Sequence, residues 1–265
     1  MIGSRLMLVL VWLAVGWAPV AWARHETGFL DRAVTFGGVE YRYEVYVPRE
    51  WTPGGRWPVI LALHGGGEYG TDGLAPTVGA LAKAIRQHPD RFPAVVVFPH
   101  AHPGALGWQG PNGEAAMKEL GGALREFHGD PGRLYLTGYS AGGNGAWWLA
   151  YHNPDRFAAA VIVCSFVTAF TGRQSGIDYR PIAPTLAADP YAEVARGVGA
   201  LPIWLVHGDA DKNVSVEESR RMFAALKAAG GDARYTELPG VDHQAWDPAY
   251  QNPDIAAWLF ARRRR

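Results

Sequence analysis

One cysteine, Cys164, stands in 265 residues, so no disulfide can close within the chain. Its setting, "AAVIVCSF", reads as a buried strand in which the thiol is a small core hydrophobe. Stability must therefore come from an apolar core, and 48% hydrophobic against 19% charged residues is the balance of a chain that can build one. Excess charge is also lacking: 25 Lys and Arg face 25 Asp and Glu. That removes the basic footprint of a nucleic-acid binder. The closing "ARRRR" reads as a solvated tail at a helix C-terminus. No internal repeat or low-complexity linker divides the chain, so residues 24–265 are expected to form a single domain. His100 and His102 have no third ligand near them in sequence, and no metal or cofactor is expected.

Only one apolar run has a charged start and small residues at its end. Arg5 precedes "LMLVLVWLAVGWAPV", and Ala21, Trp22 and Ala23 follow it. The pattern predicts a signal peptide, residues 1–23, cleaved after Ala23. Pro19 and the shortness of the run argue against a spanning helix. The expectation is a secreted or periplasmic protein, free of the membrane after cleavage.

The remaining apolar runs are short and bounded by turn residues: "WPVILALHGGG" at 57–67, "FPAVVVFPH" at 92–100, "RLYLTG" at 133–138, "AAAVIVCS" at 158–165 and "LPIWLVHG" at 201–208. Such runs are what strands covered on both faces look like. "YRYEVYVP" at 41–48 alternates and reads as a half-exposed strand. Helical patterns fall between them at 114–128, 141–153 and 215–231, the last with Ser215 and Glu218 spaced as a capping box. Alternating strands and helices predict an α/β fold with a mostly parallel central sheet and helices on both faces. Ligand and catalytic groups then gather along the strand C-terminal edge. Residues 166–200 break the pattern. They carry one short helical stretch near 189–196 and read as a small flap or a surface excursion, leaving a minimal lid.

The segment "LTGYSAGGNGAWW" places Ser140 in Gly138-Tyr139-Ser140-Ala141-Gly142, between an apolar strand and a helix. It has neither the lysine of a phosphate loop nor the G-x-G-x-x-G spacing of a dinucleotide site. G-x-S-x-G in a strand-turn-helix context is a nucleophile elbow. A serine hydroxyl needs a base, and the fold's order runs Ser, acid, His. Downstream lie His152, His207 and His243. His152 sits in the helix after the elbow and His207 ends a strand, which leaves loop-borne His243. The loop "HGDADKNV" offers Asp209 and Asp211. Asp209 follows Gly208 directly and is expected to turn the chain, so Asp211 is the candidate acid. Oxyanion donors are expected from the Ala141 amide and from "HGGG", with Gly66 first and Gly67 second, while His64 and Glu68 brace that loop. Trp108, Trp246 and Tyr139 are candidates to contact substrate.

The segments "LALHGGGEYGTDG", "DPGRLYLTGYSAGGNGAWWLAYHNPDRFAAAV", "VHGDADKNV" and "VDHQAWDPAY" resemble secreted α/β-hydrolases of the feruloyl-esterase-like and predicted-peptidase group. These are related to phospholipase/carboxylesterase and polyhydroxybutyrate-depolymerase-like enzymes. The similarity runs over most of 38–260. It implies an α/β-hydrolase fold, nucleophile, acid and base at Ser140, Asp211 and His243, and a small-molecule or polymer-linked ester as substrate. A serine peptidase of the same fold and a non-catalytic ligand-binding relative are the other readings.

Overall fold

The computed structural model describes residues 25–104, 106–172, 176–184 and 187–264; the expected signal peptide lies outside the described residues. A hairpin opens the chain, β1 (Gly28–Phe36) antiparallel to β2 (Val39–Val47). Then follow β3 (Trp57–Leu63), α1 (Ala80–Gln87), β4 (Val95–Pro99), α2 (Pro111–Glu126), β5 (Gly129–Tyr139), α3 (Ala141–His152) and β6 (Ala159–Val163). A two-stranded excursion, β7 (Phe170–Thr171) with β8 (Asp178–Tyr179), leads to α4 (Pro190–Val198). The chain continues with β9 (Ile203–Gly208), α5 (Glu217–Ala228), β10 (Ala233–Leu238), α6 (Trp246–Gln251) and α7 (Pro253–Phe260).

The main sheet has the order β1-β2-β4-β3-β5-β6-β9-β10. From β4 to β10 every pairing is parallel. The five apolar runs are five of these strands, and β4, β6 and β9 are buried along their whole length. Their side chains alternate between two cores. Val59, Leu61 and Leu63 of β3 join α2, α3, α4 and α5 on one face, while Ile60 and Ala62 join α1, α6 and α7 on the other. Fully burying side chains of this size is worth about 2 kcal/mol each, which replaces the missing disulfide.

The half-exposed reading of 41–48 needs correction: β2 is buried without a break from Tyr43 to Val47. Alternation misleads there because Glu44 is itself covered and accepts a hydrogen bond from the Thr77 hydroxyl. The capping box of α5 also does not form. Ser215 Oγ accepts from the Glu217 amide at 3.3 Å, but Glu218 turns away. It accepts from the Val167 amide, the Thr168 hydroxyl and the Tyr191 hydroxyl at 2.9, 2.6 and 2.8 Å, and so ties the chain after β6 to α4. Three tertiary donors outweigh one local amide. The helix expected near 189–196 is α4, capped by Asp189.

Glu119 on α2 is a buried carboxyl, 1% exposed, whose Oε2 has no partner among the described residues. Burial pushes its pKa well above 4.5. A raised folded-state pKa means the stability it contributes is full below the unfolded value and is lost as pH rises. Glu119→Gln cannot ionise. Its melting temperature is expected to gain on the wild type as pH rises above the ordinary carboxylate range, from about pH 5 upward. A gap that stays constant with pH would contradict this.

Candidate active site

Ser140 sits between β5 and α3 with φ 52 and ψ −119, the left-handed region that non-glycine residues avoid. Its amide donates to Val163 O on the neighbouring strand at 2.9 Å, and its carbonyl accepts from the Asn144 amide at 3.1 Å. The flanking glycines provide clearance. A Cβ on Gly138 would lie 2.2 Å from Gly142 O, and one on Gly142 would lie 2.2 Å from Leu63 O. The turn thus presses against the end of β3, where the glycine-rich loop begins.

Two chain-distant residues converge on this turn. His243, in the loop after β10, accepts from Ser140 Oγ through Nε2 at 2.9 Å. Its Nδ1 donates to Asp211 Oδ2 at 2.7 Å. Asp211 Oδ1 accepts from the Asn213 and Val214 amides at 2.8 and 2.9 Å. Burial works against ionisation of Asp211, but the hydrogen bonds from His207, His243 and Val214 outweigh it and hold the carboxyl far below its ordinary range. Asp209 points elsewhere, accepting from the Gly240 amide at 2.6 Å. Asp242 accepts from the Lys212 and His243 amides at 3.0 and 2.7 Å, which ties the histidine loop to the acid loop.

Gly66 and Ala141 line one cavity together with Ser140 and His243. The Ala141 amide belongs to the first turn of α3, where helix N–H groups and dipole favour negative charge. The Gly66 loop is braced from behind. His64 donates through Nδ1 to Gly65 O at 2.8 Å and accepts from the Ala101 amide through Nε2 at 3.1 Å. Full burial pushes its imidazole down to about 3, so it stays neutral. Glu68 accepts from the Tyr139 hydroxyl at 2.8 Å.

None of the three residues expected to contact substrate lines this cavity. Trp108 is 1% exposed, its indole N–H bound to His64 O at 3.0 Å and its Cβ against Gly145. It supports the loop from the core. Tyr139 is buried and ties the elbow to Glu68. Trp246 stands edge-on to His243 at 5.6 Å and leans on Tyr139 at 4.7 Å. The aromatic walls of the cavity are Phe166, Phe170 and Tyr179 instead, with Val214 beside them. All three come from the 166–184 segment, and Tyr179 joins Tyr69 of the glycine loop through their hydroxyls at 3.3 Å. The sequence marks that segment as irregular, but nothing in it says which aromatic rings turn inward.

Cys164 is fully buried in the core, as expected, and lies beside the site. Its sulfur lies with ligand atoms of Asp211 and His243 in one group no wider than 4.8 Å, the one such metal-competent group among the described residues. Burial pushes the thiol well above its ordinary range, so it is protonated there.

A family model described as the prolyl oligopeptidase family matches residues 116–261, a span that holds Ser140, Asp211 and His243. The chain belongs to the prolyl oligopeptidase family. Members share the α/β-hydrolase fold, and solved structures agree. A thermostable esterase superposes with TM-score 0.72 at 29% identity over 89% of this chain and 63% of its own. An acylaminoacyl peptidase of Pyrococcus horikoshii gives TM-score 0.63 at 18% identity, covering 87% of this chain and 40% of its own. A ferulic acid esterase gives 0.63 at 15% identity, covering 88% and 98%. At such identities the last two speak for the fold alone. A curated relative, an uncharacterized secreted protein of Arthroderma benhamiae, is 27% identical over 210 residues, 70% of this chain. The chain spans 21% of that relative's length. Family and neighbours agree on the α/β-hydrolase fold for this chain. Among the described residues no helix is long and apolar enough to cross a membrane.

Proposed function

We propose that the protein is a serine esterase that hydrolyses carboxylic esters through an acyl-enzyme on Ser140. The observation that carries this reading is the unbroken chain Ser140 Oγ–His243–Asp211, at 2.9 and 2.7 Å, opening on a cavity beside the first amide of α3. His243 Nε2 takes the serine proton as Oγ attacks the ester carbonyl. Asp211 fixes the tautomer that leaves Nε2 free to accept and stabilises the imidazolium that forms. The amides of Ala141 and Gly66 receive the oxyanion, and His243 returns the proton to the leaving alcohol. Water attacks the acyl-enzyme by the same steps in reverse order. The apolar ring-lined wall of Phe166, Phe170 and Tyr179 suits a bulky apolar acyl group, on a small molecule or a polymer. The N-terminal pattern and the secreted relative favour export with cleavage after Ala23.

Peptide cleavage is the second reading, because the family takes its name from peptidases and the triad is common to both reactions. The fold match at 29% identity is to an esterase, which favours esters. The test is a panel of aryl, feruloyl and short-chain acyl esters beside the matching peptide amides, with wild type and Ser140→Ala. Ester turnover is expected to exceed amide turnover by at least about a hundredfold and to vanish in Ser140→Ala. A fluorophosphonate should label the wild type alone. Equal rates for the two proteins would sink the reading, and faster amide turnover would make the protein a peptidase.

A further inference from the structure

His207 ends β9 and is fully buried, 0% exposed. A structural histidine there needs only to satisfy its two nitrogens, yet its ring is aimed at the candidate acid. Nε2 lies 3.1 Å from Asp211 Oδ2 and 3.1 Å from Val214 O. An ionised carboxylate and a carbonyl only accept, so Nε2 carries the hydrogen. Nδ1 lies 2.7 Å from Ser219 Oγ and is therefore the acceptor of that hydroxyl. Three partners thus assign one tautomer.

We propose that His207 is a positioning residue for the Asp211–His243 pair, a second imidazole donor to the carboxylate oxygen that His243 uses. The proposal rests on the triad reading given above. Oδ2 takes His243 at 2.7 Å and His207 at 3.1 Å, while Oδ1 takes two backbone amides. The roughly four acceptor directions of the carboxylate are then filled, so it cannot rotate away from His243. Its charge is also shared between two rings. With one ring removed, the carboxylate would pull harder on the His243 imidazolium and raise the pH at which His243 becomes a free base.

The other groups around this arrangement do not substitute for His207. Glu237 faces it across β10 in register, but Arg220 at 2.8 and 2.6 Å and Tyr235 at 2.6 Å already hold that carboxylate. The Cys164 thiol lies near Asp211 from β6, and Asp242 is occupied by the Lys212 and His243 amides. Ser219 follows Glu218 directly, so the first turn of α5 holds the acid through His207 and the cavity wall through Val167 and Thr168.

The experiment is kcat and KM for an aryl ester from about pH 4.5 to 9 with the full chain. The variants are His207→Met, His207→Gln and Ser219→Ala, with Ser140→Ala as the blank. In His207→Met, kcat is expected to fall roughly tenfold with KM nearly constant, and the acid limb of kcat/KM to move up by about half a unit or more. His207→Gln places an amide N–H where Nε2 was and should restore the wild-type limb. Ser219→Ala loosens the tautomer and should move the limb in the same direction by less. An unmoved limb in His207→Met, with activity falling only as stability falls, would reduce His207 to packing and overturn the proposal. If His207→Met does not fold, Ser219→Ala decides: wild-type kcat and limb there overturn it, and a shifted limb beside a wild-type limb in His207→Gln upholds it. A wild type no faster than Ser140→Ala is a different failure, in which the triad reading falls and takes this proposal with it.

Discussion

Asp211→Asn is expected to lower kcat for esters by roughly 10⁴-fold while the protein stays folded. The hydrogen bonds dictate which way the new amide must point. Oδ1 accepts two backbone N–H groups, from Asn213 and Val214, and only the amide oxygen of asparagine can do that. The NH₂ must then occupy the place of Oδ2, facing His243 Nδ1 and His207 Nε2, two ring nitrogens that, unlike backbone amides, can give up their hydrogen and accept. A donor there forces Nδ1 to accept and moves the imidazole hydrogen to Nε2. That nitrogen, 2.9 Å from Ser140 Oγ, can then no longer take the serine proton. The loss should lie in kcat, with KM little changed, because nothing in the cavity wall has moved. Steady-state kinetics with a melting curve checks it. A loss of less than about tenfold in a folded variant would mean that Asp211 is not the acid.

Gly142→Ala should be among the most damaging single added methyl groups in the described residues. The added carbon would lie 2.2 Å from Leu63 O and 2.4 Å from His64 O. Both are backbone atoms at the start of the glycine-rich loop, so no side chain can swing aside to admit it. Either α3 withdraws from β3 or the loop moves, and the expected cost is about 3 kcal/mol. For a chain of this size that is a fall of roughly 6 to 12 °C in Tm. Activity per folded molecule should fall as well, because the same displacement separates Ala141 from Gly66. Gly54→Ala is the control, since a Cβ there meets nothing within 4 Å. Equal melting temperatures for the two variants would contradict the tight elbow.

The elbow shows how far a sequence can carry such a reading. Strand, G-x-S-x-G and helix occur consecutively, so the strained turn at Ser140 is a local event written in local residues. The parallel strands were equally legible, because burial on both faces leaves an unbroken apolar run with no polar position to confuse it. Asp211 and His243 could be picked by chain order, since each follows one strand at the edge where the site must form.

What the chain order could not give is which side chains meet once the edges align. Trp108 and Trp246 are the kind of residue that lines pockets, yet one is buried in the core and the other stands edge-on to His243, and neither lines the cavity. Glu218 has the spacing of a local cap and is taken by three donors from the 166–191 region. His207 reads as an ordinary strand end until β9, α5 and the acid loop close around both of its nitrogens. Local backbone strain, strand burial and connection order are properties of contiguous residues, and the sequence by itself determined them. The cavity wall and the braces of the glycine loop join residues far apart in the chain, and His207, although four residues from Asp211, is aimed at it by Ser219 and Val214. Only packing decided them, because a side chain's direction is set by the competition among all the partners that the fold brings within reach.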